Sequence, residues 1–308
     1  MAARHRARLG ATVAALVLVA AIGGTACAPA APPPIDPVPT ARDLPVAVAE
    51  RDFVDGSRST PAYEDFPGAD DRTLPTTIWY PADRTGPYPL VVFAHGFGVD
   101  PWFAGALLER IAASGYVVAA PTLPLLSGWP AGPTDSVDWE EKYTDLQFVT
   151  SSVLDLSASG DPDLGGQVDG SRIAVMGHSD GALLAFGDGF EAGRTDDRVR
   201  AVVALAAGLG GSGEYESNGH ALLHMVSEFD EYNDFGAAVA WDHAVLGDPS
   251  WTVAVWGGRH APPYTDPDDP RFDDVVATIV DFLDFQLKAQ SDAPFLGDVD
   301  GSPNLGFV

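Results

Sequence analysis

A serine between glycines stands at Gly177-His178-Ser179-Asp180-Gly181. Its neighbours give the pentapeptide its meaning. Ile173-Ala174-Val175-Met176 precedes it and Ala182-Leu183-Leu184-Ala185 follows, so the serine falls where a strand turns sharply into a helix. A turn that tight holds the serine in strained backbone and tolerates only small flanking residues. It also sets the hydroxyl at a helix N-terminus, where the dipole favours developing negative charge. The chemistry this suits is nucleophilic attack. A serine hydroxyl needs a base to take its proton and an acid to orient that base. With seven histidines and 44 acidic residues in the chain, position has to select the partners.

The elements that must position these groups are legible from periodicity. Apolar runs at 76–80, 90–94, 117–120, 172–176, 199–206, 221–226 and 251–256 predict strands. Helical spacing marks 103–114, 139–157, 180–188 and 272–290. Gly86-Pro87 turns the chain between the first two strands, Gly115 stops the first helix, and Pro121 ends the third strand. Continuous β-branched runs separated by helices predict an α/β fold, a mostly parallel central sheet with helices on both faces. One domain over 45–308 accommodates it, with no internal repeat.

In these features the chain resembles the α/β-hydrolase superfamily, in its dienelactone-hydrolase-like, chlorophyllase-like and polyester-hydrolase (cutinase-like) branch. The likeness covers residues 73–288. Thr77-Ile78-Trp79-Tyr80-Pro81 resembles the branch's early strand, His95-Gly96-Phe97-Gly98 its oxyanion loop, and Val168-Asp169-Gly170-Ser171-Arg172-Ile173 its approach to the nucleophile. There are departures. Dienelactone hydrolases proper use cysteine where this chain has Ser179. Many relatives carry Gly-Gly where it has Gly181-Ala182, and Met, Gln or Arg where it has Asp180.

The resemblance implies the chain order serine, acid, histidine, each on a loop after a strand. The 221–226 strand runs into Ser227-Glu228-Phe229-Asp230, which points to Asp230 as the acid, with Glu228, Glu231 and Asp234 as rivals. The last strand runs into Gly257-Gly258-Arg259-His260-Ala261-Pro262, which makes His260 the base. His220, His224 and His243 precede that strand or fall within other elements and read as structural or surface groups. His178 is expected to pack away from substrate, and His95 to brace the oxyanion loop. By resemblance the oxyanion donors are the backbone N–H groups of Phe97 and Asp180. The Asp180 side chain has two readings: it faces solvent or caps the helix, or it sets a negative charge beside the nucleophile and disfavours anionic substrates. Phe97, Trp102 and Trp129, with Phe103, Leu125 and Leu126, stand on loops that would border the cleft and suit an apolar acyl or aromatic group. Core or lid packing would use the same residue types. The Gly/Ser-rich stretch 208–219 would form a rim or lid.

The function expected is two-step acyl transfer on a carboxylic ester, needing neither metal nor organic cofactor. The alternatives are a peptidase or acyltransferase with the same residues, or a catalytically inactive, lipid-anchored binding protein. A net charge of −27 would repel phosphate backbones, so nucleic acid is excluded as a partner. Acidic runs at 266–269 and 298–301 lack the spacing of a calcium loop. Arg4, His5, Arg6 and Arg8, followed by an apolar run at 11–22 too short to span a bilayer, predict a bacterial export signal over 1–27. Gly24-Thr25-Ala26-Cys27 resembles a lipobox, with Cys27 as the lipid anchor, while Ala26-Cys27-Ala28 also fits a small-x-small cleavage site. The protein is therefore expected outside the cytoplasm, free or anchored to the outer face of the membrane. As the only cysteine, Cys27 excludes an intrachain disulfide. Pro/Ala-rich 28–44 reads as a tether.

Overall fold

A computed structural model of the chain describes residues 42–127, 138–208, 215, 218–245, 249–290 and 293–308, without the side chains of 243–245. The export segment, nearly all of the tether, Trp129, the His243 ring and most of the 208–219 stretch lie outside the described residues.

Each of the seven predicted strands is present. β1 (Val46–Asp55), β2 (Arg72–Pro81), β3 (Tyr88–Ala94), β4 (Val117–Pro121), β5 (Val168–His178), β6 (Val199–Leu205), β7 (Ala221–Ser227), β8 (Ser250–Val255) and β9 (Leu305–Phe307) build one sheet. Its order is β1-β2-β4-β3-β5-β6-β7-β8-β9. The strands from β3 to β8 are mutually parallel, while β2 and β9 pair antiparallel with their neighbours. β3, β4 and β7 are buried at every position, which is why they read as unbroken apolar runs.

Alternation along the strands feeds two cores. Val91, Phe93, Ala174 and Met176 face α1 (Gly105–Ala113), α6 (Phe272–Leu287) and α7 (Pro294–Gly301). Leu90, Val92, Ile173 and Val175 face α2 (Trp139–Ser159) and α3 (Asp180–Phe190). Each fully buried Leu, Ile or Phe in these layers contributes about 1.5–3 kcal/mol. The remaining helices, α4 (Phe235–Val245) and α5 (Pro262–Thr265), sit on the connections flanking β8.

Several boundaries differ from expectation. The first helix opens as a 3-10 turn over Pro101–Ala104, capped by Asp100 Oδ1 accepting from the Trp102 N–H at 2.9 Å. Pro121 closes β4 from within, paired with Thr76. α6 stops at Leu287, and the chain then returns through α7 to the edge strand β9. Burial alternates along β1, but its sequence hides the period, because Val48 and Val54 stand at exposed positions and Asp55 at a buried one. The tether ends sooner than 44: the Leu44 N–H bonds the Ala113 carbonyl at 2.9 Å, and Arg42 pairs with Asp284 at 2.7 Å.

The topology singles out one place. The chain leaves β3 for β4 on one side and crosses to β5 on the other, so connections diverge at the carboxyl ends of β3 and β5. Such a switch point opens a crevice above the sheet.

Candidate active site

Ser179 sits at that crevice. It joins β5 to α3 with φ 58° and ψ −124°, a left-handed backbone that costs a non-glycine residue about 1–3 kcal/mol. The packing around the turn imposes it. A Cβ on Gly177 would lie 2.0 Å from the Gly181 carbonyl oxygen, and one on Gly181 would lie 2.0 Å from that of Ala94. Only hydrogen fits at either flank. The Ser179 N–H continues the sheet ladder to the Leu205 carbonyl at 2.9 Å, so the strained residue is anchored on its strand side.

His260 and Asp230 arrive from the loops after β8 and β7. Ser179 Oγ and His260 Nε2 are 2.9 Å apart, and His260 Nδ1 and Asp230 Oδ2 are 2.8 Å apart. With Nδ1 donating to the carboxylate, Nε2 is free to accept the serine proton. Burial opposes ionisation of Asp230, but the bonds from His260 and from the backbone N–H groups of Tyr232 and Asn233 outweigh it. The carboxyl is held below its ordinary range. The rival acids have other duties. Glu228 accepts from the Gly257 N–H at 2.8 Å, Glu231 accepts from the His260 N–H at 3.1 Å and pairs with Arg259, and Asp234 caps α4 through the Ala237 N–H at 2.7 Å.

The loop after β3 runs against the nucleophile: a Cβ on Gly96 would lie 3.1 Å from Ser179 Cβ. His95 braces it from below. Its Nδ1–H donates to the Gly96 carbonyl at 2.8 Å and its Nε2 accepts from the Leu123 N–H at 2.9 Å. Burial pushes the ring down to about 4, so it stays neutral and keeps that tautomer. Phe97 therefore approaches Ser179 from one side and the first turn of α3, with the Asp180 N–H, from the other. A helix start leaves such an N–H without an intrahelical acceptor.

His178 is buried, as a packing residue would be. Its Nε2–H donates to the His260 carbonyl at 2.9 Å, and its ring lies 4.9 Å from the His260 ring and 5.8 Å from Tyr264. Burial pushes it, too, down to about 4. It also forms part of the cleft wall. His220 and His224 are buried and are not part of the cleft wall; they bond to the Gly189 carbonyl at 2.8 Å and to Asp242 at 2.6 Å.

A cleft of about 500 Å³ opens over Ser179 and His260, bordered by Phe97, Phe103, Asp180 and Tyr232. Three expected contributors are elsewhere. The exposed Trp102 ring stacks edge-on against Trp79 of β2 at 5.0 Å and is not part of the cleft wall. Leu125 and Leu126 are buried in the protein interior. Two residues of the site escaped the sequence reading. Tyr232 covers His260 edge-on at 4.8 Å. Asn233 Nδ2 donates to Asp230 Oδ2 at 3.2 Å and to the Ala206 carbonyl at 2.9 Å. Their only sequence signal was adjacency to Asp230. No cluster of His, Cys, Asp or Glu able to hold a metal ion occurs among the described residues. In the 266–269 run, Asp266 accepts from the Asp268 N–H and Asp269 pairs with Arg271.

A mostly parallel sheet with a serine elbow at its switch point, a histidine after the last parallel strand and an acid after the one before it defines an α/β-hydrolase. Within that class the chain belongs to the chlorophyllase family, whose model matches residues 66–231, more than half of its length. Membership carries the general activity of the class, hydrolysis. No curated protein matches the chain. The matched span contains Phe97, Ser179 and Asp230 and ends before His260.

Proposed function

We propose that the protein is an exported serine hydrolase that cleaves carboxylic esters through an acyl-enzyme. The observation that carries this reading is the unbroken relay from Ser179 Oγ through His260 to Asp230 Oδ2, at 2.9 and 2.8 Å. His260 Nε2 takes the hydroxyl proton as Oγ bonds to the ester carbonyl carbon. The charge moves onto the carbonyl oxygen, where the N–H groups of Phe97 and Asp180 receive it, each donor lowering the barrier by about 3 kcal/mol. Asp230 stabilises the imidazolium. The C–O bond breaks, the alkoxide leaves with the proton from His260, and water deprotonated by His260 then releases the acid and restores Ser179.

The apolar borders of the cleft suit an ester with an apolar or aromatic part. A fluorophosphonate probe should label Ser179, and p-nitrophenyl esters of increasing acyl length should be hydrolysed with a chain-length optimum. Absence of labelling at Ser179 would remove the reading. His260→Ala should lower turnover at least about a thousandfold with the fold retained, as circular dichroism would report. Export through 1–27 predicts a mature N-terminus near residue 27 in secreted material. Radiolabelled palmitate incorporated into wild type and lost in Cys27→Ser would establish the lipid anchor.

A further inference from the structure

We propose that the cleft selects esters carrying a cationic group, held by the Asp180 carboxylate and the faces of Phe97, Phe103 and Tyr232. This deepens the ester-hydrolase reading and rests on it. Asp180 borders the same cleft as Ser179 and His260. Among the described residues its carboxylate has no hydrogen-bond or ion-pair partner; burial raises its pKa, and the only opposing influences are the more distant charges of His260 and Lys142. Lys142 is buried and bonded to Asp138, and Arg259, next to His260 in sequence, is exposed and pairs with Glu231 at 3.0 Å. Among the described residues no lysine or arginine borders the cleft.

A partly desolvated carboxylate without a counter-charge favours a ligand that supplies one. The rings around it offer the second half of such a site. Phe97, Phe103 and Tyr232 are 49%, 43% and 79% exposed, which leaves ring faces open to an ammonium group. The chain's net charge of −27 draws cations toward the opening as well. Reaction chemistry points the same way. An unpaired carboxylate at the cleft opposes the negative charge that develops there, and a cation on the substrate offsets that opposition in the transition state. Anionic esters gain neither contact.

The test compares the choline and 3,3-dimethylbutyl esters of one acid, equal in shape and different by one positive charge. Wild type should cleave the choline ester with a kcat/KM at least about tenfold higher, a ratio that shrinks with added salt. In Asp180→Asn the ratio should fall toward one. A wild-type ratio of one or less, or a ratio unchanged in the variant, overturns the inference, and the wild-type ratio decides even if the variant misfolds. Calorimetric titration with phenyltrimethylammonium needs no turnover. It should bind wild type and bind Asp180→Asn about tenfold more weakly, and no binding to wild type overturns the inference. Fluorophosphonate labelling of Ser179 reports on the hydrolase reading separately.

Discussion

At the scale of single residues, the orientation of His260 depends on a side chain that does not touch Ser179. Asn233 ties Asp230 Oδ2 to the Ala206 carbonyl at the end of β6, and its own N–H bonds Asp230 Oδ1 at 2.9 Å. The acid thus has two backbone donors and one amide fixing its plane before His260 meets it. Asn233→Ala should lower kcat by about tenfold, with KM and melting temperature little changed, because a loosened acid misplaces the base rather than the substrate. Steady-state kinetics beside a thermal melt would separate the two effects. The choice of Asp230 over Glu228, Glu231 and Asp234 was not legible beforehand without the family likeness. Four carboxylates on one loop differ only in direction, and direction comes from how the loop is pinned.

At the scale of elements, the elbow and the helix after it carry opposite kinds of constraint. Gly177→Ala would drive a Cβ to 2.0 Å from a backbone oxygen, and neither strand nor helix can yield without losing its ladder. The variant should lose at least about 3 kcal/mol of stability or fail to accumulate folded, as urea denaturation would report. Asp188, near the end of α3, is wholly buried, and that burial, with Asp196 nearby, pushes its carboxyl up to about 7, although the Gln147 amide at 2.9 Å pulls the other way. The folded pKa lies above the ordinary value of 3.8. The protonated form is therefore the one folding favours: its contribution is complete below about 4 and is lost as pH rises through about 7. Asp188→Asn should abolish this dependence, and wild type should lose on the order of 4 kcal/mol at most, relative to the variant, between pH 4 and 8. Melting curves at closely spaced pH values would check it.

For the whole molecule, a buried ionic cluster joins the edge of the sheet to the helical layer. Arg72, at the start of β2, forks onto Asp145 of α2 with two bonds of 2.6 Å and reaches Asp138 at 2.8 Å, while Lys142 also binds Asp138. Arg58, from the β1–β2 connection, adds a bond to Asp145 at 2.8 Å. Since all four central side chains are buried, removing one leaves the opposite charge stranded. Arg72→Met should destabilise the fold by about 3–5 kcal/mol. Denaturant titration measures the loss, and a value under about 1 kcal/mol would mean that water or Arg58 compensates.

Most of this protein's architecture was written locally. Unbroken apolar strands, helical spacing and a serine in a glycine-flanked strand-to-helix turn are short-range patterns, so the parallel sheet, the elbow and the loops holding Asp230 and His260 could be read along the chain. Edge elements such as β1 and β9 could not, because β1 carries Val48 and Val54 at exposed positions and Asp55 at a buried one, and the three residues of β9 are too few to show a period. Tertiary structure alone decided which side chains share the cleft. It turned Trp102 onto Trp79, buried Leu125 and Leu126, brought Tyr232 over His260, and left the Asp180 carboxylate at the cleft without a hydrogen-bond or ion-pair partner among the described residues. Those outcomes depend on the direction of each Cα–Cβ bond after loops from distant parts of the chain have packed together, and no local pattern encodes that direction.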